Sequence, residues 1–207
     1  MKHEYRKHEK ELYGTKAKPT LFDVPKQKFI CIKGEGNPNG EDFKTRVEAL
    51  YSVAYTIRMS HKSGFAPDDY FEYTVYPLEG LWDIKNHDSD TFTKDELIYT
   101  IMIRQPEFVN EELFQQALKI ARNKKPNDLL SEVYFEEITE GLSVQMLHIG
   151  SFDTEGETFA VMKEFIEENH LRIKTLVHRE IYLSDPRKVI DDKLKTLLRY
   201  RVEKVDV

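Results

Sequence analysis

His178, Glu180 and Tyr182 carry the strongest chemical signal in the chain. They alternate with the apolar Val177, Ile181 and Leu183 in a run that reads as a β-strand closed by the turn signal Ser184-Asp185-Pro186. Alternate side chains of a strand share a face, so an imidazole, a carboxylate and a phenol project together. A carboxylate set into such a strand is half-buried, and burying it without a partner is costly or forces its pKa up. Glu180 therefore suits a cationic ligand or proton transfer, the alternatives being a glutamate that faces water or pairs with an arginine.

Other chemistries find less support. His178-x-Glu180 puts two ligating groups on one strand face, with His148 and Asp153 as further candidates, but no second close pair occurs and Cys31 stands alone. No metal and no cofactor is expected. Gly-x-Ser-x-Gly is absent, Cys31 has no identifiable base, and Gly34-x-Gly36 lacks the third glycine and the Lys-Ser/Thr end of a phosphate loop, so it reads as a turn.

The residues that could wall a site around Glu180 are large and soft. Trp82, Tyr55 and Tyr182 offer ring faces that attract cations, Met102 and Met146 adapt their shape, and His148 shares a strand face with Met146. Each of Trp82, Met102 and Met146 taken alone also reads as ordinary core. Together with Glu180 they suit a flat, hydrophobic, cationic molecule.

Positioning these groups requires a substantial fold, and 207 residues with 40% apolar and 12% aromatic content can bury one. A net charge of −6 repels phosphate backbones, so nucleic acid is not expected as a partner. The single cysteine fits a reducing cytoplasm; no signal peptide or run of 18 apolar residues is found, so a cytoplasmic, non-membrane protein is expected.

Along the chain, a polar extension over residues 1–26, with a polar helix over 3–13, precedes a strand at 27–34. A helix from Glu41 follows, with Phe43, Val47, Leu50, Tyr51, Ala54 and Ile57 at helical spacing and Tyr55 on its flank. Strands at 70–76 and 97–104, with a polar loop at 85–94 between them, complete a first half-repeat over about 27–106. A helix over 110–123, capped by Asn110, joins it to a second, over about 131–203. This half has strands at 132–138 and 142–149, a helix carrying Phe159, Met162, Phe165 and Ile166, and strands at 175–183 and 195–202. Strand, helix, strand, strand occurs twice. The pattern predicts an α+β fold over residues 27–207, a single domain of tandem pseudo-twofold units with antiparallel sheet and helices on one face. The opposite face and the seam are left for a ligand cleft.

The segments Tyr73-Thr74-Val75-Tyr76-Pro77-Leu78-Glu79-Gly80-Leu81-Trp82, Met102-Ile103-Arg104-Gln105-Pro106, Gln145-Met146-Leu147-His148-Ile149-Gly150 and His178-Arg179-Glu180-Ile181-Tyr182-Leu183-Ser184-Asp185-Pro186-Arg187, with Lys195-Thr196-Leu197-Leu198-Arg199, resemble the GyrI-like small-molecule-binding proteins. The resemblance spans about 27–202. It implies the stand-alone form of a module that also senses drugs in some bacterial transcription activators, where a late-strand glutamate, matched here by Glu180, meets cationic aromatic compounds. Arg179 replaces a second histidine expected of many relatives, and Asp83 a second tryptophan.

The resemblance implies cytosolic binding of hydrophobic, often cationic aromatic molecules for sequestration or sensing. It also implies an alternative, because a branch of the family hydrolyses cyclopropane-bearing DNA-alkylating natural products. There Glu180 would serve as general base and Tyr182 or Tyr55 as donor to the developing oxyanion. A third reading is a protein-binding inhibitor or regulator.

Overall fold

The computed structural model describes residues 2–87 and 93–205, which leaves part of the polar loop expected at 85–94 outside the described residues. In chain order the elements are α1 (Tyr5–His8), β1 (Thr20–Val24), β2 (Gln27–Glu35), α2 (Glu41–Arg58), β3 (Leu78–Ile84), β4 (Leu97–Gln105), α3 (Glu111–Lys124), β5 (Tyr134–Ile138), β6 (Gly141–Ile149), α4 (Glu155–Glu168), β7 (Leu171–Ile173), β8 (His178–Tyr182) and β9 (Lys195–Lys204). The class is α+β with antiparallel pairing. The expected order recurs as β2, α2, β3, β4 and as β6, α4, β8, β9, the short β7 falling inside the second run. Two compact units form, one from residues 2–4, 27–78 and 82–138, the other from 5–26, 79–81 and 139–205.

In the first unit β2 lies between β4 and β5, with Ile30 opposite both Ile103 and Phe135. Phe29, Ile30, Cys31 and Ile32 are all fully buried, which explains why this strand reads as a continuous apolar run rather than an alternating one. The stripe of α2 is buried through Leu50, Val53, Ala54 and Ile57, and that of α3 through Leu113, Phe114, Ala117 and Leu118. Phe114 of α3 stacks on Phe135, so α3 lies on the Ile30 face of the sheet. Asn110 caps α3 by accepting from the Leu113 amide at 2.9 Å, as its position before the apolar stripe predicts. Gly34 stays within β2 and Gly36, at φ 92°, makes the turn.

The strand expected at 70–76 is not formed; the strand lies later, at Leu78–Ile84. Residues 70–76 contribute rings instead. Tyr70, Phe71 and Tyr73 all pack on Phe108, and ladder pairing is confined to a single bridge between Tyr73 and His3. The aromatic content that mimics a strand serves ring packing. The helix expected over 3–13 is limited to one turn at Tyr5–His8.

In the second unit the order is β1-β6-β9-β8, with β7 on the far end of β9. α4 presents Met162 and Ile166, flanked by Phe159 and Phe165, to a core of Val144, Leu198, Tyr200 and Val202. The helix stops at Asn169, where His170 enters the left-handed region at φ 53° and so turns the chain into β7. Register sets the site: Glu180 is opposite Leu198, which is opposite Met146. Even-numbered side chains of β6, β8 and β9 therefore share the face that α4 covers.

Candidate functional site

β8 holds His178, Glu180 and Tyr182 on one face as the period of a strand requires, and they bond to one another. His178 Nε2 lies 2.9 Å from Glu180 Oε1, and the Tyr182 hydroxyl donates to Glu180 Oε2 at 2.7 Å. Glu180 is only 9% exposed. Among the described residues its ion-pair partner is His178, not an Arg or Lys. Such a carboxylate keeps its negative charge available to a ligand instead of spending it on a guanidinium.

Rings surround the trio. Phe159 of α4 meets His178 edge-on, with centroids 4.8 Å apart, and packs on Tyr200, while Phe152 stands at 89° to the Tyr182 ring. Tyr200 also approaches His178, so the imidazole sits in an aromatic corner.

A second carboxyl group completes the site. Glu155, the first residue of α4, is buried, and its Oε1 has no hydrogen-bond partner. Burial first, and the neighbouring Glu180 carboxylate second, push Glu155 up to about 9. A helix N-terminus favours the charged form by under about 1 kcal/mol, too little to offset burial beside a like charge. Glu155 thus holds a proton at neutral pH, a buried acid beside Glu180. Sequence reasoning missed Glu155 because an acid in a first helical turn is ordinarily explained by the helix dipole. Its place directly after the Gly150-to-Thr154 turn was the available signal.

The expected site residues fall into different surroundings. His178, Glu180 and Tyr182 come together. Met146 is half-buried on the same sheet face, against the α4 core. His148 is engaged at both nitrogens, Nδ1 with the Thr158 hydroxyl at 2.8 Å and Nε2 with the Ser151 carbonyl at 3.0 Å, so it pins the turn that starts α4. A hollow of about 440 Å³ lies beside it, lined by Met146, His148, Ser151, Thr154 and Thr158 among others. In the other unit, Trp82 is buried between Phe43 and Tyr99. Met102 is fully buried opposite Cys31, and Tyr55 is 56% exposed on α2 beside Tyr51. Glu180 lies on the helix-covered face of its sheet, whereas the helix-free face was expected to carry the ligand.

That opposite face is occupied by charge. Arg179 and Arg199, opposite each other in register, are almost fully buried with Glu79 and Glu140. Arg179 Nη1 lies 3.2 Å from Glu79 and 3.3 Å from Glu140, and Arg199 Nη1 donates to Glu140 at 2.9 Å. The two guanidinium groups hold the Glu140 carboxyl below the usual range despite its burial. Arg179, the departure noted in the sequence, thus points away from Glu180 and belongs to this network. Among the described residues no group of three or more His, Cys, Asp or Glu side chains is arranged to hold a metal ion, and no helix is long and apolar enough to cross a membrane.

The model of the GyrI-like small molecule binding domain matches residues 17–203. No curated protein matches the chain. The crystal structure of an uncharacterized conserved protein from Listeria innocua is 41% identical with a TM-score of 0.91, over 98% of this chain and 100% of that one. That of a hydrolase from Listeria innocua is 40% identical with a TM-score of 0.89, over the same 98% and 100%. The EcmrR C-terminal domain, 14% identical with a TM-score of 0.55 over 91% of this chain and 98% of that one, shares the fold.

Proposed function

The chain belongs to the GyrI-like small-molecule-binding family, and from that premise we propose that it binds hydrophobic, cationic aromatic compounds with Glu180 as counter-ion. One observation carries the reading: a carboxylate almost removed from solvent, bonded by His178 and Tyr182, with no Arg or Lys paired to it among the described residues. At the effective dielectric of such a site, a cation about 4 Å away gains on the order of 4 kcal/mol before desolvation. A ring face adds about 0.5–2 kcal/mol. Phe159, Tyr200 and Phe152 supply rings beside the trio. Titration with the planar cation ethidium tests this: Glu180→Gln should weaken binding by about tenfold or more while an uncharged analogue is unaffected. Equal ethidium affinity in the variant would overturn it.

A second reading, hydrolysis of cyclopropane-bearing electrophiles, is favoured by the protonated Glu155 beside Glu180 and by the 40%-identical protein described as a hydrolase. Glu180 takes a proton from water as the water oxygen bonds to a ring carbon. The strained carbon–carbon bond breaks, and its electrons pass to the conjugated carbonyl oxygen. Tyr182 or Glu155 then donates a proton to that oxygen. Product heavier than substrate by one water, lost in Glu180→Gln while binding survives, is the expected result. Turnover persisting in that variant rejects Glu180 as the base.

A further inference from the structure

Glu155 is the buried titratable group that cation binding through Glu180 leaves unused, and its chemistry bears on what the site can accept. It starts α4 on the sheet face shared by His178, Glu180 and Tyr182, and its Oε1 has no hydrogen-bond partner. Phe152 and Phe159, on either side of Glu155 in the chain, pack on Tyr182 and His178, which sets Glu155 over β8 at Glu180, the carboxylate that those two residues bond; Thr196 of β9 and Asp153 of the turn before α4 also act on it. No Lys or Arg figures among these groups.

We propose that Glu155 and Glu180 form a two-carboxyl site at which an arriving organic cation takes the place of the Glu155 proton. The inference rests on Glu180 as the counter-ion. In the ligand-free protein burial and the adjacent carboxyl group keep Glu155 protonated to about pH 9. A positive charge set against Glu180 reverses the repulsion that holds the proton. The carboxylic acid of Glu155 then dissociates, its proton passes to buffer, and both carboxylates face the cation. By linkage, a ligand that lowers a group's pKa releases protons between the new value and the old, and binds more tightly as pH rises through that window. A neutral aromatic molecule of the same shape has no such effect. The exchange selects for charge among flat aromatic ligands, and a ring wall alone cannot do this.

Calorimetry of ethidium binding near pH 8, in phosphate and in Tris, tests the exchange, since these buffers differ in ionisation heat and the difference in apparent enthalpy counts protons. The wild-type chain should release about half a proton or more, and affinity should tighten with pH by up to about tenfold per unit between about pH 7.5 and 9, above the ordinary imidazole range. Uncharged phenanthridine should cause no proton release. Glu155→Gln should abolish both the release and the pH slope, and weaken ethidium most at the alkaline end. Equal enthalpies in the two buffers, or proton release that persists in Glu155→Gln, would overturn the exchange and leave Glu180 as counter-ion intact. Absence of ethidium binding to the wild-type chain would overturn both.

Discussion

Tyr182 donates its hydroxyl to Glu180 Oε2 at 2.7 Å from two positions further along the same strand. A strand places such neighbours on one face, and a phenol long enough to reach back fixes the carboxylate rotamer without neutralising it. Tyr182→Phe keeps the ring that Phe152 packs against and removes only the donor. Hydrogen bonds to charged groups contribute about 1.5–3 kcal/mol, and this one is half-buried, so urea denaturation should show a loss of about 1–2 kcal/mol. A loss below about 0.3 kcal/mol would mean that water replaces the hydroxyl at no cost.

Glu155 makes stability depend on pH in the direction opposite to most carboxylates. Its folded value, about 9, lies above the ordinary 4.5, so between those values the folded chain binds more protons than the unfolded one. Stability from this group is therefore greatest below about pH 4.5 and falls as pH rises, levelling off above about 9. Glu155→Gln has no proton to lose. Its melting temperature should match the wild type near pH 5 and exceed it increasingly toward pH 9, by an amount on the order of a few kcal/mol in stability. A gap that narrows with rising pH would contradict the assignment.

The shared face of His178, Glu180 and Tyr182 followed from the period of two, and α3 from its apolar stripe and Asn110. Both signals are local, and local geometry decides them. β3 lies later than the strand expected at 70–76 because the rings there look like strand and Pro77 like its end; ring packing on Phe108 is a tertiary fact with no local signature. Glu155 and the network of Glu79, Glu140, Arg179 and Arg199 were invisible for a related reason. Charged residues are ordinarily on the surface, and only the fold shows which of them are paired in the interior.

Gly34 is held by its neighbour. It lies opposite Tyr99 in the β2–β4 register, and a Cβ at Gly34 would overlap the Tyr99 ring, which itself packs on Phe43 and Trp82. Gly34→Ala must displace a ring embedded in that cluster and should cost about 1–3 kcal/mol. Removing the ring removes the reason, so Gly34→Ala in a Tyr99→Leu background should cost much less, a coupling that a double-mutant cycle by denaturant titration would read. Additive effects would place the glycine requirement elsewhere.

The buried charges on the far face of the second unit tie the N-terminal segment down. Arg199 donates to the Leu12 carbonyl at 3.1 Å as well as to Glu140 and Gln145, and Gln145 in turn donates to the Glu11 carbonyl at 2.7 Å. Removing one member strands the others: Arg199→Leu takes from Glu140 its 2.9 Å donor and leaves the Leu12 carbonyl and the Gln145 side-chain oxygen each short of one. Breaking a buried pair in this way typically costs about 3–5 kcal/mol. Glu140 adds a pH signature, since a carboxyl held below its ordinary range contributes stability above that range and loses it as pH falls through the folded value. Arg199→Leu should therefore lower stability most near neutrality and expose residues 5–26 to limited proteolysis ahead of the rest of the chain. Cleavage of that segment at the wild-type rate would show that the tie is carried by the burial of Tyr5 and Tyr13 instead.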